Sequence, residues 1–269
     1  MDKSNIGRGK TALISGASSG IGEAIAACFA GAGFDLVLVA RSAGKLKALA
    51  DTLSSKYKVK AWVEPADLSK PGSAKKLAAS LKRAKRAIDV LVNNAGVLEH
   101  GAFAATPADR HQELIDLNVS SLTAMLAHFL PPMLARGHGR ILNVASIAAF
   151  QPVPTLATYA ATKAYVLSLT ESLSEELKGS GVSITALCPG VTATNMFSLA
   201  KSTSPSLAKL PGFLIGDAAK VAKEGFDACI KGDVIRVPGV VNLAGMVAGR
   251  ATPKWLVRKI GGTLGRKSI

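Results

Sequence analysis

Residues 10–41 read KTALISGASSGIGEAIAACFAGAGFDLVLVAR, in the order apolar run, glycine-rich turn, helical stretch, apolar run. Lys10 to Ser15 has the composition of a buried strand, Glu23 to Gly33 that of a helix and Asp35 to Ala40 that of a second strand. The alternation continues outward. Lys45 to Lys56 predicts an amphipathic helix, Val59 to Glu64 a third strand, Ser73 to Arg86 a helix and Ile88 to Asn93 a fourth strand. Arg140 to Ala145, Ser183 to Leu187 and Val234 to Val237 predict three further strands, with helices near 108–136, 158–178 and 217–231. Such alternation requires crossover helices between parallel strands. The expectation is an α/β chain, doubly wound, with a parallel sheet of about seven strands and helices on both faces.

Composition agrees with one large core. The 269 residues are 48% hydrophobic and only 5% aromatic, and the hydrophobic share comes mainly from Ala, Val, Leu and Ile. Cys28, Cys188 and Cys229 are scattered and odd in number, so neither a disulfide framework nor a metal site is expected, and a cytoplasmic location fits. The N-terminus MDKSNIGRGK runs straight into a strand-like segment without a signal-peptide pattern. The uncharged stretch Leu117 to Ala135 contains Asn118, His128 and Pro131-Pro132, which predicts a buried helix rather than a lipid-exposed span. Lys and Arg outnumber Asp and Glu by 33 to 18, a net charge of +15 that favours an anionic partner. Nucleic acid is not expected, because the basic residues are spread along the chain without zinc-finger spacing or an aromatic stacking motif.

The glycine-rich turn spans Ser15 to Gly22, with Gly16, Gly20 and Gly22 spaced GxxxGxG and Ser18, Ser19 and Ile21 between them. Between a strand and a helix, such a loop holds a pyrophosphate on backbone amides and the positive helix end. Taken alone it is weak evidence, since strand-to-helix turns need glycine anyway. Roughly 20 residues further on, a carboxylate would select NAD and an arginine a 2′-phosphate. Arg41 stands there, with Lys45 nearby, and neither Asp35 nor Asp51 suits the role. That points to NADP(H), the alternative being a solvated loop arginine. Asp67-Leu68 follows the third strand, where the carboxylate either accepts from an adenine amino group or caps a helix. Asn94-Ala95-Gly96 ends the fourth strand as close packing against a cofactor or as an ordinary turn.

Tyr159 and Lys163 are four apart in a helical stretch and so project from one face, about 6 Å apart along the axis. An adjacent ammonium is expected to lower the phenol pKa and make a usable acid/base. Ser146, thirteen residues earlier, ends a strand where its hydroxyl can hold a substrate oxygen, and Asn118 can fix a water behind the lysine. Each also has a bland alternative: helix packing for Tyr159, a solvated charge for Lys163, an N-cap for Ser146 and a helix-interior hydrogen bond for Asn118.

As an ordered set these residues resemble the short-chain dehydrogenase/reductase family over about Lys10 to Val237. Gly16, Gly20 and Gly22 match its cofactor loop, Asn94-Ala95-Gly96 its strand-four motif, and Asn118, Ser146, Tyr159 and Lys163 its catalytic tetrad. Pro189-Gly190 and Thr194 match the segment that meets the nicotinamide carboxamide. The chain departs from the family at Ser15, where Thr is usual, and at Thr192, where Val or Ile is more common. The resemblance implies a Rossmann fold and NADP(H)-dependent hydride transfer to a carbonyl or from an alcohol. It also implies a homo-oligomer paired through the helices containing Leu122 to Ala135 and Tyr159 to Lys178. The competing reading is a non-catalytic dinucleotide-binding regulatory protein of the same fold.

Residues 1–237 are expected to form the dinucleotide-binding and catalytic domain, with a substrate lid near 191–216. Met196, Phe197, Leu199 and Leu210 of that lid suggest an apolar substrate. Residues 238–269 are read as a basic C-terminal extension of the same domain. Its basic residues, interleaved with Trp255, Leu256, Val257 and Ile260, suit weak peripheral contact with an anionic membrane. Two other readings stand beside this one, packing over the lid and attraction of an acidic substrate such as a coenzyme A thioester. The run Val237 to Gly249 is too short and too rich in Gly, Pro and Asn to cross a bilayer.

Overall fold

The computed structural model describes residues 5–194, 212, 215–253, 255, 256, 258, 259, 262 and 263. Within them lie β1 (Thr11–Ser15), β2 (Asp35–Ala40), β3 (Ala61–Pro65), β4 (Val90–Asn93), β5 (Gly139–Val144), β6 (Val182–Leu187) and β7 (Ile235–Arg236). They form one sheet in the order β3-β2-β1-β4-β5-β6-β7, and every pairing is parallel. Leu13 of β1 stands opposite Val37 on one side and Leu91 on the other.

The connecting helices are α1 (Gly20–Gly31), α2 (Ala43–Tyr57), α3 (Ser73–Arg83), α4 (Ala108–Ile115), α5 (Leu122–Arg136), α6 (Ala157–Glu176) and α7 (Ala218–Lys231). A last helix, α8 (Val240–Ala251), follows β7. Two apolar layers hold the sheet between them, because successive strand residues point to opposite faces. Leu13, Val37 and Leu91 join α3, α5 and α6 on one face, whereas Ile14, Leu36, Leu38 and Val92 join α1, α2 and α7 on the other. On the second face Phe29 meets Phe34 and Phe226 edge-on, with centroids 5.1 and 5.0 Å apart. Leu122, Met125, Leu126, Phe129 and Met133 of α5 are buried in the first layer, so the uncharged stretch read from the sequence is a core helix. Asp217 begins α7 as its N-cap, accepting from the Lys220 amide at 2.8 Å.

Two local features add to the sequence reading. A π-turn over Asp116–Ser121 joins α4 to α5, so the backbone stays helical from Ala108 to Arg136 but is widened where Asn118 sits. The run after Val237 is helical, although Gly245 and Gly249 each cost about 1 kcal/mol against Ala in a helix. Packing supplies the difference, since Met246 lies against the core and Asn242 donates to the Pro238 carbonyl at 2.8 Å. A bridge between Thr192 and Gly216 closes the base of the segment read as a lid. Met196, Phe197, Leu199 and Leu210 lie outside the described residues, as do Lys254, Arg266 and Lys267 of the tail.

The chain runs outward from β1 to β2 and β3, then returns to start β4 on the other side of β1. At this switch the loops leaving β1 and β4 part, opening a crevice at the C-terminal edge of the sheet.

Candidate active site

The crevice is built on Ser15, the last residue of β1. Its hydroxyl donates to the Val92 carbonyl at 3.1 Å and accepts from the amides of Asn94 and Ala95 at 3.0 and 3.1 Å. The serine thus fastens β1 to the end of β4 with the hydroxyl that Thr shares. Asn94 returns the tie, its Nδ2 donating to the carbonyls of Ser15 and Gly16 at 3.0 and 3.2 Å. This close approach dictates glycine on both sides of the loop. Gly16 has φ +66, and a Cβ there would lie 2.6 Å from Asn94 Nδ2. A Cβ on Gly22 would lie 2.3 Å from the Gly16 carbonyl oxygen. Ser18, Ser19, Gly20 and Ile21 line the crevice where α1 begins, and the Ser19 side chain makes no capping bond to the α1 amides.

At one end of the crevice Arg41, Ser42 and Lys45 stand along one wall and Asp67 and Leu68 along another. Asp67 is not a helix cap, since Gly72 precedes α3. Its Oδ1 accepts from the Ser69 hydroxyl at 2.7 Å and the Ser69 amide at 3.1 Å. The hydroxyl bond holds the carboxyl below the usual range, with a smaller contribution from the Arg41 charge. The Arg41 guanidinium therefore lies close enough for its field to reach Asp67.

At the other end are the four residues read as a tetrad. Ser146 caps the short helix Ile147–Phe150, accepting from the Ala148 amide at 3.1 Å and donating to the Pro189 carbonyl at 3.5 Å. Lys163 is 6% exposed, donates to the Val144 carbonyl at 2.8 Å, and has its Nζ 5.7 Å from the Tyr159 ring centroid. Burial lowers its pKa to about 8. The expected depression of the Tyr159 pKa is not found. Burial raises the phenol above its ordinary value, and a hydrogen bond with Ser146 opposes the rise. Lys163, whose Nζ donates to the Val144 carbonyl, does not offset that rise.

Asn118 lies behind the wall. Its Oδ1 accepts from the Val97 amide, and its Nδ2 donates to the Val97 carbonyl, both at 2.9 Å, and to the Thr162 hydroxyl at 3.1 Å. It thereby joins the segment after β4 to α6. Gly96 lies between, and a Cβ there would be 3.1 Å from Asn118 Oδ1 and 3.6 Å from Lys163 Nζ.

Several supporting residues gave no signal in the sequence. His111 of α4 reaches the Thr158 hydroxyl through Nδ1 at 2.8 Å and the Phe103 carbonyl through Nε2 at 3.1 Å. His100 Nε2 lies 3.0 Å from the hydroxyl of Thr155, a β-branched residue held at φ +68 just ahead of α6. Deeper down, Asn93 donates to Asn143 and Asn143 to Thr170, both at 2.9 Å, pinning α6 to the sheet. Apart from His111 and Phe103, these partners are 27 to 55 residues apart, a separation at which local spacing carries no information.

All but two of the expected site residues line one cavity of about 650 Å³; Gly22 and Asn118 support it from behind. Pro189, Gly190 and Thr194 border it, as do the apolar Val97, Leu98, Leu117, Ile147, Val153 and Leu156. Among the described residues no three His, Cys, Asp or Glu side chains are grouped to hold a metal.

Residues 10–204 match the family model described as short chain dehydrogenase, and the chain belongs to that family of oxidoreductases. It is 40% identical over 203 residues to the oxidoreductase UcpA of Escherichia coli strain K12, covering 73% of this chain and 75% of that one. A short-chain dehydrogenase from Sphingobium yanoikuyae, solved in complex with NADPH, is 33% identical with a TM-score of 0.79, covering 89% of this chain and 94% of that one. A 7beta-hydroxysteroid dehydrogenase structure superposes with a TM-score of 0.84 at 26% identity, covering 95% and 97% of the two chains.

Proposed function

We propose that this protein is an NADP(H)-dependent oxidoreductase that reduces a carbonyl, or oxidises the corresponding alcohol, with Tyr159 as its acid/base. The observation that carries the reading is the convergence of Ser146, Tyr159 and Lys163 with the glycine loop on one cavity. The chain's own residues fit a phosphorylated dinucleotide. Gly16 and Gly22 allow the backbone to approach, the α1 amides suit the pyrophosphate, and Arg41 with Ser42 and Lys45 suits a 2′-phosphate. Asp67 and Leu68 would flank the adenine, and Asn94, Ala95, Gly96, Pro189, Gly190 and Thr194 the nicotinamide half. Structures of similar fold solved with NADPH or NADP support the choice.

When bound, NADPH supplies the hydride. The raised Tyr159 phenol stays protonated at neutral pH and hands its proton to the developing alkoxide oxygen. Ser146 holds that oxygen, and Lys163 would hold the cofactor ribose while keeping a positive charge beside the ring below about pH 8. Asn118 keeps the Val97 backbone and α6 in register, which orients Lys163 and supports the proton path. The apolar rim favours an apolar substrate. Residues 1–237 are the catalytic unit in this reading. Leu134 and Tyr165, exposed on α5 and α6, suit pairing of two subunits through those helices. Cys28, Cys188 and Cys229 are scattered and form no disulfide among the described residues, which suits a cytoplasmic setting.

A panel of ketones and ketoacyl thioesters with NADPH deuterated on the transferred position tests the reaction. Deuterium is expected on the carbinol carbon of the product. Tight NADPH binding with no label transfer to any member would favour the non-catalytic regulator.

A further inference from the structure

Helix α8 is amphipathic the wrong way round. Its body-facing positions are Asn242, Met246 and Gly249, while Val240, Val241 and Val247 are 83%, 58% and 56% exposed. From Val240 to Gly249 it carries no charge. Aliphatic side chains at helical spacing ordinarily face a core, so a face of this kind needs a cover.

We propose that α8 docks the protein on an anionic membrane and presents the mouth of the cleft to the bilayer. Charge selects this cover. After Arg236, which pairs with Glu224 at 2.7 Å, the chain to Ile269 holds six Lys or Arg and no Asp or Glu. A second copy meeting the same face about a two-fold axis would bring two such tails together with no counter-charge. An anionic surface supplies the counter-charge and accepts the valines at once. Trp255, 59% exposed and followed by exposed Arg258 and Lys259, has the pairing of aromatic and cation suited to the headgroup level.

The helix also packs behind two residues of the cleft wall. A Cβ on Gly190 would lie 2.4 Å from Asn242 Oδ1, and one on Gly249 would lie 2.9 Å from Gln151 Oε1. Gly190 and Gln151 both line the cavity. Docking therefore places the site within reach of molecules dissolved in the bilayer. Resting on the proposed carbonyl reduction, this assigns the substrate to the lipid-soluble carbonyl compounds.

The test is sedimentation of the full-length protein with vesicles of phosphatidylserine and phosphatidylcholine, and with phosphatidylcholine alone, at low and high salt. Binding is expected to the anionic vesicles only and to be reversed by salt. The Val240→Ser/Val241→Ser/Val247→Ser and Arg258→Glu/Lys259→Glu variants are each expected to lose about tenfold in partitioning while retaining NADPH affinity, which reports folding. The proposal is overturned if wild-type protein leaves anionic vesicles unbound at low salt, or if the valine variant binds as tightly as wild type. It is also overturned if the valine variant changes only the oligomeric mass, which would make α8 a subunit contact. Vesicle binding needs no turnover, so binding without hydride transfer to any carbonyl would fail the catalytic reading alone. Reduction of a long-chain methyl ketone carried in anionic vesicles should be slower in the valine variant than in wild type, and equal rates would overturn the substrate assignment.

Discussion

The Nδ1 of His111 lies 2.8 Å from the hydroxyl of Thr158, the residue immediately before Tyr159. Because the Phe103 carbonyl only accepts, His111 Nε2 donates in that bond, and Nδ1 on the other side of the ring pairs with the Thr158 hydroxyl. One imidazole thus braces the start of α6 against the loop after β4. His111→Ala should lower kcat about tenfold with little change in NADPH affinity, since small displacements of a positioned acid are costly. His111→Gln should recover part of the loss. A parallel fall in cofactor affinity would instead mark general unfolding of the region.

Arg41 stands on the cleft wall within electrostatic reach of Asp67. Arg41→Asp should weaken NADPH binding by about 10- to 100-fold, the worth of a lost charge-assisted hydrogen bond, and improve NADH. Dissociation constants for both cofactors check it. An unchanged ratio would remove Arg41 from phosphate recognition.

The pKa of Lys163 is about 8, below its ordinary 10.5, because burial disfavours the ammonium. Below that value the group is charged, and above it the charge is lost. Affinity for anionic NADPH should therefore fall as the pH rises through about 8 in the wild type. Lys163→Met should bind weakly at every pH and lack that step. Titration by cofactor fluorescence distinguishes the two profiles.

Two glycines should respond oppositely to alanine. At Gly22 the added methyl meets the Gly16 carbonyl oxygen at 2.3 Å, so Gly22→Ala should cost about 1–3 kcal/mol and most of the cofactor affinity. At Gly44, inside α2, the methyl meets nothing within 4 Å, so Gly44→Ala should add roughly 0.5–1 kcal/mol. Denaturant unfolding of both variants checks the contrast.

Alternation of apolar strands with helical stretches made the sheet legible, because strands covered on both faces leave continuous apolar runs such as Leu36 to Ala40. The glycine loop was readable for a similar reason, as backbone crowding at Gly16 and Gly22 leaves one residue type. Helix α8 was not readable. Its glycines argue against a helix locally, and the packing of Met246 that stabilises it comes from residues far away in sequence. The Tyr159 pKa was misjudged because spacing reports that Lys163 is near but not that its Nζ turns to the Val144 carbonyl. The bracing role of His111 depends on a contact 47 residues away.

In the proposed mechanism Tyr159 delivers the proton. The direct measurement is turnover and NADPH binding in Tyr159→Phe beside the wild type, with a carbonyl substrate found in the panel. The variant removes one hydroxyl from a ring that otherwise keeps its packing in α6. NADPH affinity and thermal stability should be retained while kcat falls by about 10²- to 10⁴-fold, the range for a positioned acid/base. A kcat within about twofold of wild type would contradict the account, because so small a loss is far below what removal of a positioned acid/base produces.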